Sequence, residues 1–136
     1  METPERLLRT YRTIAVVGMS RDPAKAAHGV PVTLAKAGFD VIPVNPGAPS
    51  IAGLDAYPTL AAVPRPIELV LVFRPSELAA GIAREAVAVG AKALWLQQGL
   101  FSDEARAIAE AAGLEYVEDR CAAVERALHQ ITKSRG

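Results

Sequence analysis

Five apolar runs dominate the chain: Ile14 to Val17, Phe39 to Val44, Ile67 to Phe73, Ala91 to Leu96 and Leu114 to Val117, with helical sequence and polar turns between them. The first runs straight into Gly18 and a polar turn, so Thr13 to Ser20 reads as strand, tight turn, helix. Strands that alternate with helices require a parallel sheet, because each return path has to cross a face of the sheet. The expected fold is α/β: a doubly wound, Rossmann-like sheet of about five parallel strands with helices on both faces. The third run, IELVLVF, is nearly continuous in apolar residues, as a strand covered on both faces has to be.

The spacing between the runs places the helices. Pro4 to Tyr11 reads as a short helix with Thr3 as its cap and Pro4 at its first position. Val30 to Ala37 puts Val30, Leu34 and Ala37 on one face before Gly38 stops it. An irregular connection through Ile51, Gly53 and Leu54 leads to a one-turn helix capped by Thr59. Pro75 to Val89 repeats Leu78, Ile82, Ala86 and Val89 at helical spacing, and the next helix is capped by Ser102 or Asp103 and stopped by Gly113. The last helix, Cys121 to Ile131, turns Val124, Leu128 and Ile131 inward. Pro43 falls within the second strand, which puts it in the strand's last residues or at a position that needs no ladder donor. Trp95, inside the fourth, reads as core.

A chain of 136 residues, 51% of them hydrophobic, suits one domain with a proper core, residues 1–136. Lys and Arg number 15, as do Asp and Glu, so no global field favours nucleic acid or a membrane surface, and any anion site is local. Cys121 is the lone cysteine, and only His28 and His129 accompany it, which leaves a Cys/His zinc cluster out of reach and points to the cytosol. No apolar run approaches the roughly 18 residues of a membrane span.

Ligands of doubly wound sheets bind outside the carboxyl ends of the strands. That rim carries Gly18-Met19-Ser20-Arg21, Val44-Asn45-Pro46, Phe73-Arg74-Pro75-Ser76, Gln97-Gln98-Gly99 and Asp119-Arg120-Cys121. Gly18 admits close backbone approach, and amides of the turn and of the following helix start are donors for a phosphate. A dinucleotide site of the usual kind wants Gly-x-Gly-x-x-Gly and an acid at the end of the second strand; Ser20 stands where the second glycine would, and the strand ends in Asn45. No Gly-Lys-Ser or Gly-Lys-Thr is present either. Arg21 and Lys25 follow the first turn within reach of a phosphate there, which points to a pyrophosphate or a 3′-phosphate.

The motifs VVGMS, GFDVIPVNP, IAGLDAYPTL with IELVLVFRPSE, EAVAVGAKALWLQQGL and AGLEYVEDRC with Glu125 resemble those of the small bacterial CoA-binding domain proteins, from Arg12 to about Leu128. That family is similar to the amino-terminal CoA-binding domain of the succinyl-CoA synthetase alpha subunit and of related acyl-CoA synthetases. The resemblance implies a Rossmann-like fold holding CoA across the carboxyl edge of the sheet. It places Gly18, Met19 and Ser20 under the CoA pyrophosphate, with Arg21 and Lys25 as phosphate partners. It places Asn45 and Pro46 on the adenosine side, Phe73 and Arg74 as a wall, and Gln97 with Gly99 near the pantetheine arm. The synthetases owe catalysis to a phosphorylated histidine in a second domain, so their reaction is not expected here.

The resulting expectation is a non-catalytic protein that binds CoA or an acyl-CoA, with a protein partner or a second copy as further options. Two alternatives stay open: an NAD(P)-dependent enzyme, and a partner-dependent subunit of an acyl-CoA ligase. Plainer roles stand beside the functional ones. Arg21 and Lys25 also read as solvated charges, Arg74 as a partner of Glu77, and Arg120 as a partner of Glu118 or Glu125. His28 reads as structural or as a weak phosphate contact, and Cys121 either packs the last helix or is a reactive thiol facing the thiol end of CoA.

Overall fold

The computed structural model describes residues 1–134; residues 135 and 136, part of the expected domain, lie outside the described residues. Five parallel strands form one sheet: β1 (Thr13–Val17), β2 (Asp40–Val44), β5 (Leu69–Val72), β6 (Ala93–Leu96) and β7 (Glu115–Val117), in the order β2-β1-β5-β6-β7. Five helices join them: α1 (Thr3–Thr10), α2 (Ala26–Lys36), α3 (Ala79–Ala88), α4 (Asp103–Ala111) and α5 (Ala122–Leu128). The α/β Rossmann-like expectation is met. Strand order reverses between β1 and β5, and that switch point is where such a sheet opens a crevice.

Alternate residues of each strand feed two cores. Ile14, Val16, Leu69, Leu71 and Trp95 point to one face, under Leu7 and Leu8 of α1, Leu34 of α2 and Ala122 of α5. Ala15, Val70, Val72, Leu94 and Leu96 point to the other, under Ala79, Ile82, Ala83 and Ala86 of α3 and Ala105 and Ala109 of α4. The alanines keep α3 and α4 close to each other and to the sheet. Trp95 is fully buried, and its indole N–H donates to the Arg120 carbonyl at 2.8 Å, so the ring is core and its polar edge is satisfied.

Pro43 is accommodated because β2 is an edge strand. Asp40 N and Val44 O both bond toward β1, so residues of the other parity face outward. There the Pro43 carbonyl accepts from Tyr57 N at 3.0 Å, and the missing proline N–H is not needed by the ladder. Thr59 caps a short 3-10 turn, Leu60–Ala62, and Ser102 caps α4 by accepting from Ala105 N at 3.0 Å, both as expected.

Several boundaries differ from the sequence reading. Glu2, not Thr3, occupies the cap position of α1 and makes no side-chain cap, while Thr3 is the first helical residue. The irregular connection contains a small antiparallel pair, β3 (Ser50–Ile51) with β4 (Leu54–Asp55). The helix expected from Pro75 onward is broken into a 3-10 turn, Ser76–Leu78, and α3, which leaves Leu78 exposed. Helix α5 ends at Leu128, with Val124 and Leu128 exposed. Its inner face is Ala122 and Glu125, and Ile131 is buried only because the chain turns back at Gln130, φ 53°. Apolar spacing misleads there because the buried position is held by a charged side chain with its own partner, Arg120 at 3.8 Å.

Helix α2 starts at Ala26, four residues before the expected Val30, and carries Pro31 inside it. Pro31 has no N–H for the carbonyl of Ala27, one turn back, and that carbonyl instead accepts from Ser20 N at 3.0 Å. The proline thus ties the first turn of the helix to the loop after β1. At the other end Gly38 has φ +99°, and a Cβ there would fall 2.1 Å from the Lys133 carbonyl oxygen, so the C-terminal segment crosses directly over this residue.

Gly38→Ala should therefore cost more than the roughly 1–2 kcal/mol of left-handed strain alone. Gly90→Ala, at φ +75° with nothing within 4 Å of its Cβ position, supplies the strain-only reference in urea unfolding. Equal losses at the two positions would contradict the crossing of the C-terminal segment. A second expectation concerns alkaline pH. Burial, aided by a hydrogen bond to Glu118, raises the Tyr116 phenol above its usual value. The neutral phenol's contribution is whole below the unfolded value of about 10 and is lost as pH climbs above it toward the raised folded value. Between about pH 9 and 11 the unfolding midpoint should fall more steeply for the wild type than for Tyr116→Phe; parallel slopes would contradict the burial effect.

Candidate functional site

The carboxyl ends of β1, β2 and β5 meet at the switch point. Gly18, φ +89°, donates its N–H to Val44 O at 3.1 Å, and a Cβ on it would lie 2.8 Å from Arg74 Cδ and 3.4 Å from the Phe73 carbonyl carbon. Only glycine permits that approach, and the Arg74 stem lies over the turn. Between these ends opens a cleft of about 540 Å³. Gly18, Met19, Ser20, Lys25, Asn45, Pro46, Phe73 and Arg74 all border it, together with Pro58, Thr59, Leu60 and Glu85, which sequence reasoning did not place there.

The loop after β1 is held from within. Ser20 N goes to Ala27 O, the Ser20 hydroxyl accepts from Asp22 N at 3.0 Å, and His28 Nδ1 donates to Ser20 O at 2.7 Å. His28 is thus a brace for the loop. Met19 borders the cleft but is fully buried as a residue, its side chain packed in the core. Its carbonyl accepts from Asn45 Nδ2 at 3.0 Å, while Asn45 Oδ1 accepts from Gly47 N at 2.7 Å. Asn45 therefore joins the loops after β1 and β2, and both ends of its amide are engaged. The amides of Gly18 and Ser20 are spent on protein carbonyls. Those of Met19, Ala26 and Ala27 have no hydrogen-bond partner among the described residues, and the latter two open α2, where the helix dipole favours an anion.

Arg21, Lys25 and Arg74 are exposed and form no ion pair among the described residues, so the Arg74 to Glu77 pair is not formed. Lys25 and Arg74 border the cleft, whereas Arg21 does not. Arg120 does pair, with Glu125 at 3.8 Å.

A second cavity of about 320 Å³ adjoins the first through Phe73, which borders both. Gln97, Gln98 and Cys121 line it. Gln97 is buried, and its Oε1 accepts from Ala122 N at 3.3 Å, tying the end of β6 to the start of α5. Gly99 borders neither cavity, and its N–H donates to Asp119 Oδ1 at 2.8 Å. Cys121 is half-buried at the cap position of α5. Among the described residues no group of three or more His, Cys, Asp or Glu is disposed to hold a metal, and no helix is long and apolar enough to cross a membrane.

A Rossmann-like sheet with a glycine turn, free helix-start amides and unpaired cations at its switch point is an arrangement that nucleotide-binding domains use. The chain belongs to the CoA binding domain family, which matches residues 12–127. It is 36% identical over 129 residues to the uncharacterized protein YneT of Bacillus subtilis, across 95% of this chain and 93% of that protein. A hypothetical protein from Pyrococcus horikoshii OT3, of known structure, superposes with a TM-score of 0.90 at 34% identity, over 95% of this chain and 93% of that one. The acetate–CoA ligase (ADP-forming) II of Archaeoglobus fulgidus is 27% identical over 127 residues, which span 92% of this chain but 17% of the ligase. The domain is thus related to those of acyl-CoA ligases.

The Asn45 bridge yields a stability test independent of any ligand. Asn45→Ala breaks two side-chain hydrogen bonds and should cost about 1–2 kcal/mol in urea unfolding of the ligand-free protein. A loss of only a few tenths would show that the two loops hold their positions without it.

Proposed function

We propose that the protein is a non-catalytic CoA or acyl-CoA binder that holds the nucleotide in the switch-point cleft. The observation that carries this reading is the meeting of three strand ends around one cleft whose cations have no acidic partner. The diphosphate sits over the Gly18-Met19-Ser20 turn, taken by the free amides at the start of α2 and by Lys25, with Arg74 at the wall beside Phe73 and Arg21 at the outer rim. Asn45 and Pro46 border the adenosine. The pantetheine arm passes Phe73 into the second cavity beside Gln97, with Cys121 at its wall; Gly99 supports the adjoining loop. Residues 1–136 act as one domain, in the cytosol.

A second reading follows from the ligase relative: the protein completes an acyl-CoA ligase whose other domains lie on a separate chain. It differs from the first by stable co-purification with that chain. For a dinucleotide enzyme the cleft lacks the acid at the end of β2, because Asn45 stands there with both amide ends engaged.

Ligand linkage tests the proposal. At about 100 times its dissociation constant CoA should add roughly 2.7 kcal/mol and raise Tm accordingly, and NAD should do so less. Dephospho-CoA should fall short of CoA where the cations take the 3′-phosphate. Lys25→Ala and Arg74→Ala should each weaken CoA about tenfold or more, as expected for a charge-assisted hydrogen bond. No shift with millimolar CoA would end the proposal.

A further inference from the structure

The cleft is polarised across the sheet, and this has a bearing on which base it accepts. Lys25 precedes α2, which packs on the face of Met19 and Leu34. Glu85 lies on α3, which packs on the opposite face with Val44 and Leu60. Both border the same cleft, with Lys25 on the α2 side and Glu85 on the α3 side, while the stem of its other cation, Arg74, lies against the Gly18 turn. Glu85 is the one acid at its wall among the described residues. Its carboxylate is exposed and makes no hydrogen bond or ion pair among the described residues, while the neighbouring Arg84 turns away to Glu104 at 3.1 Å. Helix α3 packs against the short turn at Leu60, so Glu85 shares the cleft wall with the apolar residues Pro58 and Leu60.

A carboxylate repels phosphate and, when ionised, only accepts hydrogen bonds. The part of a nucleotide farthest from its diphosphate is the outer edge of the base, and an apolar wall suits the flat ring. We propose that Glu85 is a specificity-determining residue that accepts a hydrogen bond from the 6-amino group of the purine, so that the cleft selects adenine over 6-oxopurines. This rests on the CoA reading of the cleft. A 6-oxo group at that position would turn lone pairs toward the carboxylate, an acceptor facing an acceptor, and the donor such a base does carry, N1–H, lies one ring atom away and points in another direction.

Titration calorimetry with CoA and with its hypoxanthine analogue, in which oxygen replaces the amino group, tests this. The wild type should favour CoA by about tenfold or more, the worth of one hydrogen bond to a charged group. Glu85→Ala should bring the ratio near one. Glu85→Gln, whose amide donates as well as accepts, should restore binding of the analogue and lower the ratio or invert it. Unfolding midpoints of both variants should match the wild type, since the side chain has no protein partner to lose. Equal affinity of the wild type for the two ligands, or a ratio unchanged in both variants, would overturn the inference while leaving the CoA reading standing. Binding of neither ligand overturns both.

Discussion

At Gly18 the backbone of one strand end touches the stem of an arginine from another and bonds to the carbonyl of a third, and this contact sets the shape of the rim. A side chain at that point would be strained by the positive φ and would displace the Arg74 stem that lies across the turn. Because β1 and β5 flank the reversal of strand order, their loops lead to helices on opposite faces, and a cleft between them is bounded by both. The polarity of the cleft, with Lys25 on one side and Glu85 on the other, is a consequence of that topology.

Rigidity of the rim comes from hydrogen bonds that look incidental one at a time. Pro31 removes a helical donor, which frees the Ala27 carbonyl for Ser20, while His28 braces Ser20 and Asn45 clasps Met19. These bonds are made before any ligand arrives, so little backbone ordering remains for binding to cost. They also select which amides stay available: those of Gly18 and Ser20 are consumed, and those of Ala26 and Ala27 at the start of α2 are not. A glycine turn is usually read as a row of equivalent donors, but here two of its amides are spent inside the protein and the free ones belong to the start of the neighbouring helix.

The strands were legible because each is buried on both faces and nearly continuous in apolar residues; Leu69–Val72 and Ala93–Leu96 are buried at every position. The caps at Thr59 and Ser102 were legible because their chemistry is local. Helix α5 defeats the apolar pattern, since Val124 and Leu128 keep helical spacing yet point outward while Glu125 is buried. Apolar periodicity does not register a buried charge that brings its own partner. The early start of α2 was hidden by Pro31, which looks like a boundary until the carbonyl it frees is seen to bond elsewhere.

For the site, the sequence by itself determined the strand-turn-helix beginning, the glycine at its apex, the cations that follow and the absence of an acid at Asn45, because each is a property of neighbours along the chain. Tertiary structure decided everything that depends on which loops face one another. It brought Glu85 and Leu60 to the cleft, gave Gln97 to the start of α5, and left Gly99 outside both cavities. Mid-helix residues such as Glu85 carry no local signal of their surroundings. Their neighbours are set by strand order, and strand order is chosen by packing across the sheet, not by adjacent residues.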